Sequence, residues 1–216
     1  MQSMSADPNA PWPPGMTVTV KNDSAPLLEL LWVREAWALR PTGDAPPPLA
    51  KSPPRIGRAT PPEWAEEWSR LWSACLGHAG RSTETELIAR LGQTPPGSAE
   101  RAELLRRLMG PSWRDSFGDE AFDESYVSWR RELFEGIRDA GTVPLAQTPE
   151  RRAVTELAAA WRVGLSVIVT IPCTGEYTRR VSDTALLVTE GTRQDPRRYA
   201  AALASFRPVK GSGGAT

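Results

Sequence analysis

The chain has 216 residues, 26 basic and 26 acidic side chains, hence no formal net charge, and only two cysteines. That length fits one domain with a sizeable core, and the charge balance argues against nucleic-acid or membrane-surface binding, both of which lean on a basic excess. Cys75 and Cys173 lie far apart in no metal-like spacing, so they read as reduced thiols of a cytoplasmic protein and not as a disulfide framework.

Residues 1–15, MQSMSADPNAPWPPG, are polar and proline-rich and are expected to form a disordered tail. They show neither the basic start nor the apolar run of a signal peptide, and the longest later apolar run, 165–172, is far too short for a bilayer. A soluble cytoplasmic protein is therefore expected. Arginine far outnumbers lysine, which occurs only at 21, 51 and 210, and alanine and proline are abundant, a bias resembling that of GC-rich bacterial genomes.

From Met16, TVTVK alternates like a short strand and Asn22–Pro26 breaks it. LLELLWVREAWAL then places Leu28, Leu31, Trp32, Ala36 and Leu39 at helical spacing with Ser24 as cap, a strand being the alternative for so short an apolar run. The proline-rich stretch 41–62 is too rich in proline for a helix or central strand. It reads as a surface loop with polyproline II character, the sharper alternative being a ligand for an aromatic-grooved partner.

At TPPEWAEEWSRLW, Thr60 and Glu63 form a capping-box pattern and Pro61 suits the first helical position, predicting a helix from about 61. Along it Trp64, Trp68, Leu71, Trp72 and Cys75 share one face. Three exposed tryptophans would make a patch of roughly 450 Å², as large as a typical monomer displays anywhere, so the stripe is expected to face the core.

Further helices are predicted over 83–91 (Thr83 and Glu86 as capping box), 99–109 (stopped by Gly110-Pro111), 119–140 and 149–162 (capped by Thr148). The β-branched run 166–171 and the run 185–189 read as partner strands of a hairpin, and Asp195-Pro196 opens a last helix to about Phe206. Together these predict an α+β fold: a mainly helical single domain over 16–207, packed on a small, mostly antiparallel sheet with a C-terminal β-hairpin, followed by a flexible 208–216 tail. Its expected core includes Trp64, Trp68, Trp72, Trp129, Trp161, Leu133, Val167 and Val169.

Catalytic signatures are lacking. His78, the single histidine, follows a predicted helix end between Gly77 and Gly80 and reads as a solvated residue. The acids Asp115, Asp119, Glu120, Asp123 and Glu124 lack the spacing of a calcium loop and read as charges opening a helix, so no metal or cofactor is expected. The suggestive constellation is C-terminal, where Arg179, Arg180, Arg193 and Arg197 gather near a predicted helix start, with Glu176 and Tyr177 as proton-transfer candidates.

Two functions follow as expectations. The first is a non-catalytic cytoplasmic interaction or accessory protein with a protein partner, using an aromatic face or the proline-rich segment. The second is an anion-binding protein or enzyme acting on a phosphorylated or carboxylated small molecule through the arginine cluster.

Overall fold

The computed structural model describes residues 12–82, 85–139, 144 and 147–207. The fold is α+β. Its first strand, β1, is Thr19–Lys21, and the first helix, α1 (Ala25–Ala36), is buried almost all round, as a helix reading LLELLWV must be. The proline-rich segment leads to α2 (Trp64–Ala79), and α3 (Thr85–Gln93) and α4 (Ala99–Met109) pack on each other. Then come α5 (Trp113–Phe117), α6 (Glu124–Asp139), α7 (Pro149–Arg152) and α8 (Val154–Arg162). Strands β2 (Val167–Ile171), β3 (Thr178–Arg180) and β4 (Ala185–Thr189) precede α9 (Glu190–Gln194) and α10 (Pro196–Ser205).

The four strands lie in the order β1-β2-β4-β3. β1 pairs parallel with β2 (Thr19 opposite Val167), β2 pairs parallel with β4 (Val167 opposite Ala185), and β3 runs antiparallel to β4. The sheet is therefore mixed, which corrects the expected mostly antiparallel sheet and the expected hairpin of 166–171 with 185–189. The real hairpin is β3–β4, folded so that β4 inserts between β3 and β2. The reason lies in coverage: every residue of β2 and β4 is buried, and such continuous apolar runs belong to strands covered on both faces.

Two cores result. Val167, Val169, Ile171, Ala185 and Leu187 face α1, α2, α5 and α6, whereas Ile168, Leu186 and Val188 face α8 and α10 together with Met16 and Leu165. The tryptophan stripe lies in the first core: Trp64, Trp68 and Trp72 are 5%, 1% and 2% exposed. Trp68 stacks on Trp72 at 5.3 Å between centroids, and Trp64 meets Trp37 and Trp113 edge-on at 4.7 and 5.0 Å. Trp129, Val167 and Val169 are buried as expected, while Leu133 and Trp161 are only partly buried at the margins of the two cores.

Local signals were overridden at several places. Thr60 donates its hydroxyl to the Trp37 carbonyl at 2.9 Å in place of capping, so α2 starts at Trp64 and not at 61. Ser24 occupies the cap position of α1, and Thr148 that of α7, without a side-chain capping bond. The helix expected over 119–140 is α6 from Glu124, preceded by α5, whose Ser112 and Asp115 form the reciprocal box. The helix expected over 149–162 breaks at Ala153. Thr83 lies outside the described residues, as do 1–11 and 208–216. Trp12, next to the first of these segments, donates to the Met16 carbonyl at 3.0 Å and packs against the second core.

The proline-rich segment is fastened to the domain. Buried Arg34 donates to the carbonyls of Pro46 (2.6 Å) and Pro47 (2.8 Å), and Glu35 accepts the Leu49 N–H. Leu49, 2% exposed, bridges to Cys173 just past β2, and Trp129 donates to the Lys51 carbonyl at 2.8 Å. No helix of the described residues is long and apolar enough to cross a membrane.

Candidate functional site

The predicted arginine set is dispersed by strand geometry. Arg179 and Arg180 are neighbours on β3, so their side chains leave opposite faces. Arg179 reaches Asp44 at 3.3 Å; Arg180 lies over the Phe206 ring at 4.5 Å and pairs with Asp183 at 3.1 Å. Arg193, on α9, is held by Glu150 at 2.8 Å and Glu190 at 3.3 Å. Glu176 pairs with Arg198 at 3.6 Å, and Arg197 is exposed. The Tyr177 hydroxyl donates to Asp44 at 3.0 Å, and burial together with that bond pushes its phenol up, away from neutral proton transfer. Arg179 and Tyr177 thus share Asp44, Glu176, Arg180 and Arg193 each have separate partners, and Arg197 stands exposed.

A cleft of about 640 Å³ opens elsewhere, at the β1 edge of the sheet on the α2 side. Its position follows from the alternation of β1. Val20 packs toward the second core, so Lys21, opposite Val169, takes the other face and extends beside the end of α2. There the Lys21 ammonium donates to the Arg81 carbonyl at 2.7 Å. Burial pushes this lysine below its ordinary range, and the charge of Asp23 partly opposes that.

Two glycines close the cleft's frame. A Cβ on Gly80 would stand 2.8 Å from Val181 Cγ1 and 3.0 Å from Ala185 Cβ, so only glycine lets the end of α2 sit this close to the sheet. Gly110, with φ +72°, ends α4 against the His78 ring, 2.3 Å from where its own Cβ would be. His78 is thus half-buried within α2, not solvated beyond it, and its Nε2 meets the Leu108 carbonyl at 3.0 Å. As a carbonyl only accepts, that nitrogen carries the proton.

Four cationic side chains, Lys21, Arg81, Arg106 and Arg107, line this cleft against two carboxylates, Glu103 and Asp115. Arg106 is paired with Glu103, and Asp115 is occupied as cap partner of Ser112. The Arg81 guanidinium makes no hydrogen bond or ion pair with any described residue. Among the described lining residues cationic side chains thus outnumber carboxylates, on a chain with no net charge. Sequence reasoning missed it because its residues come from β1, α2 and the turn after it, α3, α4 and α5, and form no local pattern.

Two further clefts, of about 360 and 600 Å³, flank the proline-rich segment. In the first, Arg34 and Glu35 already hold that segment; in the second, Lys51 is paired with Glu132. Among the described residues no group of three His, Cys, Asp or Glu side chains could hold a metal ion. No family model, no curated protein and no solved structure matches the chain.

Proposed function

We propose that the protein binds a small anionic molecule, phosphorylated or carboxylated, in the cleft between β1, the end of α2 and α4. The supporting observation is that Arg81, whose guanidinium has no partner among the described residues, and half-buried Lys21 both line a concavity of about 640 Å³, within the size range of small-molecule sites. An arginine fork matches phosphate or carboxylate oxygens, and lysine adds a point charge. The anionic ligand class is the second of the two functions expected from the sequence, but Arg179, Arg180 and Arg193 already grip carboxylates, which favours the cleft as its place.

Thermal-shift measurements with inorganic phosphate, nucleotides and small carboxylates, on wild type and Arg81→Ala, test this. A charge-assisted contact is worth about 1.5–3 kcal/mol, so the variant should bind a stabilising anion about ten- to a hundredfold more weakly. No shift with any anion, or equal shifts in both proteins, would remove the proposal.

A non-catalytic interaction protein is the second reading. Ile88, Leu105 and Met109, 49%, 39% and 56% exposed, lie on α3 and α4, the helices that also supply Leu87, Arg106 and Arg107 to the cleft. Apolar side chains next to a cationic surface suit an acidic, amphipathic peptide. Fluorescence anisotropy with such peptides, weakened by Met109→Asp, is the outcome that would favour it.

A further inference from the structure

Lysine occurs three times in the chain, at 21, 51 and 210. Lys51 is exposed and neutralised by Glu132. Lys21 sits differently: it lines the cationic cleft, is half-buried, and makes no ion pair among the described residues. Its hydrogen bond goes to the Arg81 carbonyl, which asks for one N–H and is satisfied by a neutral amine as well as by an ammonium. An amine held by that bond keeps its lone pair for the cleft.

We propose that Lys21 is a covalent site, whose Nζ condenses with the aldehyde or keto group of an anionic carbonyl compound. This rests on the anion-binding reading of the same cleft, with Arg81 holding the phosphate or carboxylate. The nitrogen lone pair attacks the carbonyl carbon while the C=O π pair moves to oxygen. Two protons pass from nitrogen to that oxygen, water leaves, and a C=N bond remains. The net change is a condensation without oxidation or reduction. The depressed proton affinity of Lys21 supports the step, since only the amine is nucleophilic, and desolvation favours it. Neighbouring guanidinium groups cannot compete for the carbonyl, as arginine keeps its proton.

Pyridoxal phosphate is the probe, an aldehyde and a phosphate in one molecule. The full-length protein is incubated with it at neutral pH and reduced with borohydride, which adds hydride to the imine and fixes the adduct, and the sites are mapped by peptide mass spectrometry. Labelling of Lys21 at least about tenfold faster than of Lys51, slowed by inorganic phosphate and slower with unphosphorylated pyridoxal, is expected. Lys21→Arg should lose that adduct while Lys51 labels as before. Equal labelling of Lys21 and Lys51, or preferential labelling of Lys51 or Lys210, overturns the inference. If phosphate raises the melting temperature but Lys21 is not preferred, the covalent step falls and anion binding stands. If Lys21 is preferred equally by pyridoxal and its phosphate, with no melting shift, anion binding falls and the reactive amine stands.

Discussion

Arg193 and Glu150 meet in two parallel N–H···O bonds, Nε to Oε1 at 2.8 Å and Nη2 to Oε2 at 3.1 Å, tying α9 to α7. Both side chains are 15% exposed, and the Tyr199 hydroxyl donates to the same carboxylate at 3.2 Å. Removing one partner of such a pair strands the other. Arg193→Ala should lower the unfolding free energy by about 3–5 kcal/mol in urea titrations, and Arg193→Met with Glu150→Leu should recover much of that. A loss below about 1 kcal/mol for Arg193→Ala would mean that the pair contributes no structural constraint. Because Arg193 is committed in this way, its loss should leave anion affinity in the α2–α4 cleft unchanged.

Trp68 is the centre of the first core, 1% exposed and donating its indole N–H to the Leu30 carbonyl at 2.6 Å, across the α1–α2 contact. Trp68→Ala removes a large buried ring and leaves a cavity between two helices, costing about 3–5 kcal/mol. Trp161, half-buried at the margin of the second core, should cost less than half as much when truncated. Equal losses in matched denaturation curves would contradict the assignment of the stripe to the core.

Both thiols are buried, and desolvation pushes each up to about 12. In the unfolded chain a thiol ionises at about 8.5. Between these values the folded protein holds more protons than the unfolded one, so stability falls as pH rises through the window and is unaffected by the thiols below it. The cost grows to on the order of 4 kcal/mol per thiol at the upper end. Tyr126, pushed up to about 12 by burial, acts in the same direction. Urea midpoints between pH 8 and pH 11 should fall steadily, less steeply in Cys75→Ala, and neither thiol should react with a disulfide reagent at pH 8 until the chain is unfolded. Rapid reaction of the native protein would contradict the burial.

Much of the helical layer was legible because its signals are local. The i, i+4, i+8 tryptophans fix the buried face of α2, and Asp195, which accepts from the Arg197 and Arg198 N–H groups at 2.9 and 3.0 Å, marks the start of α10. The sheet was not legible in the same way. Thr19 and Val167 are neighbours only because the intervening helices fold over both faces, and no local spacing encodes which strands adjoin. Edge strand β3, three half-buried polar residues, has no apolar alternation to announce it. Thr60 shows the converse: its capping pattern is real in sequence, but a tertiary acceptor on Trp37 competes for the hydroxyl. The candidate site suffered most, since clustering of arginines along the chain says nothing of which face each takes once a strand separates neighbours. There Lys21 meets the Arg81 carbonyl across 60 residues of chain.

Gly110 and His78 should be energetically coupled. Gly110 has φ +72° and ψ −173°, a region open essentially to glycine alone and costing an alanine about 1–3 kcal/mol, and its missing Cβ leaves room for the imidazole at 2.3–2.8 Å from where that carbon would stand. A ring hydrogen-bonded to the Leu108 carbonyl cannot swing aside without losing that bond. Gly110→Ala therefore carries two costs, backbone strain and overpacking, the second worth about 1–3 kcal/mol. In a His78→Ala background the clash disappears and only the strain remains. The double-mutant cycle should thus show Gly110→Ala less damaging by about 1–3 kcal/mol when His78 is absent. Strict additivity would mean that the ring does not rest on the glycine and that the wall of the cleft is not built by this contact. Because the same turn carries Arg106 and Arg107 toward Lys21, Gly110→Ala alone should also weaken anion binding, measured by the phosphate-induced melting shift.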